Sequence, residues 1–93
     1  MGQTLAQQIL SHKTGRAVLP GELVIIEPDV VMSHDSLTPG IIQIFQEELN
    51  AKKIHDPQQL VFVFDHVVPA STVGTADNQN LVRDFARQQC VRL

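Results

Sequence analysis

The chain has 93 residues, 43% of them apolar and 18% charged, with a formal net charge of −3. That is ordinary globular composition rather than a disordered tail, and the acidic balance with four Phe and no Trp or Tyr argues against a nucleic-acid partner, which needs a basic stripe or a base-stacking platform. A single Cys excludes a disulfide framework and any all-cysteine metal or iron–sulfur site built from these residues alone.

Leu5, Ala6, Ile9 and Leu10 recur at helical spacing, and Gly15 follows as a stop with Lys13 in the last turn, which predicts a short first helix. A loop with Pro20-Gly21 leads to the β-branched run Leu23–Ile26, interrupted by Pro28 and resumed at Val30–Met32. This predicts two short strands, or one strand kinked at the proline. After the polar stretch Ser33–Leu37, Thr38 and Pro39 predict an N-cap and first helical position. Ile41, Ile44, Phe45, Glu48 and Leu49 then trace one face of a second helix ending near Asn50. Leu60–Phe64 is apolar at every position, the mark of a central parallel strand covered on both faces. A third helix is expected from about Thr72 or Ala76 to Cys90, with Leu81, Val82, Phe85 and Ala86 as its apolar face.

The order predicts an α/β fold: a layered helix–sheet–helix arrangement with a mostly parallel sheet and right-handed crossovers. Residues 1–93 read as a single partial domain, because a doubly covered strand needs neighbours on both sides and the last helix stops where another strand should follow. The sequence begins with no basic-then-apolar leader, and Ala6 stands where a myristoylation signal wants Ser or Thr. No apolar run approaches a membrane span. A soluble cytoplasmic setting is expected, with no membrane and no nucleic-acid partner.

Three of the four His sit beside an Asp: His34-Asp35, His55-Asp56 and Asp65-His66. A shared metal site is not expected from them. Neighbours on a strand point to opposite faces, and none has the i,i+4 spacing of a helical zinc pair. Asp65-His66 follows the C-terminal end of the buried strand, where open α/β sheets bind ligands. An imidazole oriented by a carboxylate is a ready acid or base near neutral pH, and the alternative is a pair of strand-end groups bonded to loop backbone. Ser33-His34-Asp35 also follows a strand and precedes a helix, where it could bind an anion or simply cap. His55-Asp56 reads as a turn, His12 as solvent-facing, and Cys90 as a half-buried apolar residue.

Several segments together resemble one family. They are Met1–Ala6 with Ile9-Leu10, Gly15-Arg16, Pro20-Gly21-Glu22, Val31-Met32-Ser33-His34-Asp35 with Thr38-Pro39, and above all Val63-Phe64-Asp65-His66-Val67-Val68-Pro69-Ala70. The chain resembles the start of the large subunit of 3-isopropylmalate dehydratase and its homoaconitase and dimethylmalate dehydratase relatives, in the aconitase superfamily. The resemblance implies a hydro-lyase that isomerises a hydroxy di- or tricarboxylate by dehydration and rehydration. It implies Asp65 and His66 as catalytic, His66 acting as acid toward the departing hydroxyl and Asp65 orienting it. It implies Ser33, His34 and Asp35 as substrate-binding, with His34 the leading contact. It also implies a [4Fe-4S] cluster in the full enzyme, whose cysteines match nothing in this segment, and as partners a small swivelling subunit or domain and the rest of the large subunit. By that resemblance the 93 residues are an N-terminal portion that neither binds a cluster nor turns over substrate alone. The alternative is a free-standing small α/β binding module in which the dipeptides are caps and turns.

Overall fold

The computed structural model describes residues 2–93. Helix α1 spans Leu5–Thr14, strand β1 Val31–His34, helix α2 Thr38–Gln43, strand β2 Leu60–Val63 and helix α3 Val73–Gln89. β1 and β2 pair in parallel, with Val31 opposite Leu60 and His34 opposite Val63. The order and the parallel pairing are those expected of an α/β chain.

The ends of α1 and the start of α3 have local causes. Thr4 caps α1 by accepting the Gln7 N–H, while the Gln7 side chain accepts the Thr4 N–H, a reciprocal capping box. Gly15 ends the helix at φ 73°, in the left-handed region. Thr72 caps α3 through the Thr75 N–H. α2 begins without a side-chain cap: its cap position is Leu37, and Thr38 lies inside the first turn. The capping role expected of Thr38 is therefore replaced by a buried one. Its hydroxyl donates to the His34 carbonyl at 2.6 Å and lies 2.8 Å from the Ser33 hydroxyl. α2 runs on into a wider π-helical turn at Ile44–Glu48, closed by the Leu49 N–H on the Ile44 carbonyl.

The core lies on one face of the sheet. Ile42 of α2, Phe62 of β2, Val82, Phe85 and Ala86 of α3, and Val91 form it, with Phe45, Ile54, Leu60 and Phe64 packed around them. Phe85 meets Phe45 edge-on at 5.6 Å between centroids. Two helical faces are phased differently from expectation. Along α2 and the π-helical turn that follows it, Ile42 is buried while Ile41, Ile44 and Leu49 are exposed. In α3, Gln79 joins Val82, Phe85 and Ala86 on the buried side, and Leu81 is exposed.

The other face of the sheet is open within this chain. Met32 is 65% exposed, so the covering of β2 on both faces is not met among the described residues. β2 does have neighbours on both edges. Arg92 forms an isolated parallel bridge with Val61, and its carbonyl accepts the Phe62 N–H at 2.9 Å. The strand foreseen at Leu23–Ile26 does not form: no neighbouring strand offers it a ladder, and Ile25 is 94% exposed. The pairing starts only after Pro28, where the Val31 N–H reaches the Gln59 carbonyl. α1 buries none of its residues. It is tied down by Lys13, which donates to Asp29 at 2.8 Å. That ion pair holds the Asp29 carboxyl below its ordinary value.

Candidate active site

Parallel strands in register end together. His34 pairs with Val63, so the residues that follow each strand emerge side by side at one edge of the sheet. The Asp35 N–H continues the ladder to the Val63 carbonyl at 3.0 Å. This brings Ser33, His34 and Asp35 to the same place as Asp65 and His66, 31 positions later in the chain.

The imidazoles of His34 and His66 stack, with centroids 3.8 Å apart and planes within 12°. Asp65 Oδ1 lies 2.6 Å from His66 Nδ1. The carboxylate accepts from that nitrogen, which leaves His66 Nε2 as the ring atom open to a ligand. On His34 the roles are reversed. The Ser36 N–H donates to His34 Nδ1 at 3.3 Å, so a neutral His34 carries its proton on Nε2. The stack thus presents two different Nε2 atoms: a donor on His34 and a proton acceptor on neutral His66. The His66 side chain is 50% exposed.

Asp35 lies beneath the two rings, with Oδ1 3.6 Å from His66 Nδ1 and 3.9 Å from His34 Nδ1. Its side chain is 2% exposed. Oδ1 accepts the His66 N–H at 3.2 Å and Oδ2 the Val67 N–H at 2.9 Å. Burial pushes its carboxyl up, but the backbone donors of Val67, His66, Asp65 and Asp35 itself outweigh that and hold it below the ordinary carboxylate value. Asp35 therefore neither caps α2 nor opens to solvent. It ties the end of β1 to the loop after β2.

Gln79 completes the loop's support from α3. It is buried, and its side-chain amide donates to the Val67 carbonyl at 2.7 Å. Sequence reasoning overlooked it. The available signal was a polar residue on the apolar stripe 79–82–86, where a buried amide must find a partner. Beside this loop lies a cleft of about 210 Å³ lined by Asp35, Ser36, Val67, Thr75, Asn78 and Gln79.

The other candidates lie elsewhere. His55 is exposed, and Asp56 caps its own turn through the Gln58 N–H. His12 is exposed on α1. Cys90 is exposed rather than half-buried, because it takes the left-handed cap position after α3 at φ 61°. It lies by Gln58 and Arg92, where β2 begins, whereas the His–Asp group is where β2 ends. One thiol at the opposite end of the strand does not fit an iron–sulfur cluster, so these residues build no site for one.

His34, Asp35 and His66 do bring possible ligand atoms within 4.8 Å of one another. Their geometry suits proton chemistry better than a metal. Stacked rings aim their lone pairs in parallel rather than at one point, and both Nδ1 atoms and both Asp35 oxygens already meet donors or acceptors. No helix among the described residues is long and apolar enough to cross a membrane.

Comparison with known proteins agrees with the motifs at this edge. The 3-isopropylmalate dehydratase large subunit of Herpetosiphon aurantiacus is 47% identical over 90 residues, which is 96% of this chain. The chain is related to this family. Other relatives include the 3-isopropylmalate dehydratase large subunit 1 of Methanopyrus kandleri, 38% identical over 89 residues and 96% of this chain. The probable methanogen homoaconitase large subunit of Methanothermobacter thermautotrophicus is also 38% identical over 89 residues, 91% of this chain. The chain spans 21% of the length of each of these relatives. No protein-family model matches it.

Proposed function

We propose that these residues are the N-terminal part of an aconitase-type hydro-lyase and supply its acid–base pair. The observation that carries this is the 2.6 Å contact of Asp65 with His66 Nδ1 at the C-terminal edge of a parallel sheet, in a chain related to dehydratase and homoaconitase large subunits. The substrate class is a hydroxy di- or tricarboxylate of the 3-isopropylmalate or homocitrate type.

In this reading, protonated His66 gives its Nε2 proton to the departing hydroxyl, which leaves as water while a base outside these residues takes the proton from the neighbouring carbon. Asp65 holds the ring at Nδ1 and stabilises the imidazolium before transfer. The return step, rehydration, uses the same Nε2 as base. His34 offers Nε2–H to an oxygen of the substrate; the Ser33–Thr38 hydroxyl pair fixes the strand end that carries it, and Asp35 joins that end to the His66 loop. The [4Fe-4S] cluster implied by the family would be ligated outside these residues. The remaining large-subunit residues and a small subunit would close the site.

The test is His66→Ala in the complete enzyme, with 3-isopropylmalate and homocitrate as substrates. Turnover should fall by roughly 10²–10⁴-fold, the size of a general acid's contribution, and Asp65→Asn should fall in the same direction. Unchanged turnover in His66→Ala would remove the pair from the mechanism.

A further inference from the structure

The loop that carries His66 is gripped from two sides by side chains that do not themselves face the open ring atoms. Asp35, at the end of β1, accepts the N–H groups of His66 and Val67. Gln79, in α3, donates to the carbonyl of Val67. Both polar groups of the Val67 backbone are thereby bound by buried side chains, one from the sheet and one from the helix layer. The two grips differ in chemistry: a carboxylate can only accept here, and the amide is needed because it must donate.

We propose that Asp35 and Gln79 are positioning residues, a clamp that fixes the His66–Val67 backbone and so sets the His66 ring against His34 and Asp65. This rests on the acid–base reading of His66 given above. The geometry demands such a clamp. His66 sits beyond the last paired residue of β2, on an exposed loop, and yet its ring is held within 2.6 Å of one partner and in a parallel stack with another. A loop without regular structure keeps a side chain within the fraction of an ångström that proton transfer needs only if its backbone is bound. Gln79 has no ladder or cap to serve, and its side chain is spent on that one carbonyl. Asp35 likewise gives each oxygen to a backbone N–H, and its Oδ1 also lies 3.6 Å from His66 Nδ1, so it supports the ring together with its loop.

The test has two arms. In the 93-residue chain, amide hydrogen exchange of Gln79→Leu should be at least tenfold faster at Val67 and His66, with Val82 and Phe85 unchanged. Asp35→Asn should release the same two amides. Unchanged exchange at Val67, or acceleration shared equally by Val82 and Phe85, overturns the clamp. In the complete enzyme, Gln79→Leu should lower kcat about 10–100-fold with KM within about twofold, since a displaced acid–base group costs the chemical step rather than binding. A wild-type kcat in Gln79→Leu alongside an inactive His66→Ala overturns the clamp and leaves the acid–base reading standing. A fully active His66→Ala overturns that reading, while the exchange arm still decides the clamp.

Discussion

Replacing Thr38 by Val should destabilise the chain more than replacing it by Ser, although Val matches its shape. Thr38 is 0% exposed. Its single hydroxyl proton goes to the His34 carbonyl at 2.6 Å, so the Ser33 hydroxyl, 2.8 Å away, must be the donor in their contact. Val removes both bonds. Buried Ser33 is left with a donor and no acceptor, at about 1–3 kcal/mol, and the His34 carbonyl keeps only the Leu37 N–H, at about 0.5–1.5 kcal/mol. The expected loss is about 2–4 kcal/mol, a large share of the roughly 5 kcal/mol at the lower end of domain stabilities. Thr38→Ser keeps both bonds and loses one methyl, about 1 kcal/mol. Urea unfolding followed by far-UV circular dichroism measures the difference as a shift in midpoint. Adding Ser33→Ala to Thr38→Val should recover part of the loss, because it removes the orphaned donor. If Thr38→Ser is as destabilising as Thr38→Val, or Ser33→Ala gives no recovery, the buried hydroxyl pair does not hold the end of β1.

Acid should weaken the fold through three carboxyls. Glu22, which accepts from the Leu19 N–H and from Arg16, Asp29 and Asp35 are all held below their ordinary values of 4.5, 3.8 and 3.8 in the folded chain. A depressed folded value means stability that is complete above the unfolded value and lost as the pH falls toward and through the folded one. Unfolding midpoints should therefore hold between about pH 6 and 8 and fall below about pH 4, with a shallower acid slope in Asp35→Asn. An equal slope in that variant would contradict the account of Asp35. Thr4→Ala, which removes one half of the α1 capping box, should cost about 1 kcal/mol and fray α1 alone. Hydrogen exchange confined to residues near Leu5–Gln8 checks it, and a loss that spread to β1 would show α1 to be coupled to the sheet.

Much of this was legible in the sequence because the signals were local. The stop at Gly15, the start of the third helix near Thr72 and the apolar run of β2 all act within a few residues, whereas the Thr4–Gln7 box, though local, was missed. The position of Asp65-His66 after a strand was readable too, and His34-Asp35 lies at a strand end as expected, although His34 is the last residue of β1 rather than past it. Non-local facts were not readable. The run Leu23–Ile26 has strand chemistry but no neighbour to pair with, and pairing is a property of two segments. Ile42 rather than Ile41 faces the core, in a helix whose cap position is Leu37, one residue before the expected Thr38. Asp35 has the sequence context of a capping residue, and its use as a backbone acceptor depends on a loop 31 positions away. Gln79 stood out as a polar residue on an apolar stripe, but its partner, the Val67 carbonyl 12 positions away, did not.

The single thiol offers an experimental handle of a different kind. Cys90 is exposed and stands where β2 begins, while the stacked imidazoles stand where it ends. A spin label or fluorophore attached there needs no competing cysteine to be removed and touches none of the His–Asp group. Because Arg92, two residues on, is bridged to Val61, the probe reports whether the chain end stays joined to the free edge of β2. The same exposure carries a practical consequence: in air, two copies of the chain can link through this sulfur, so solution measurements call for a reductant or for Cys90→Ser.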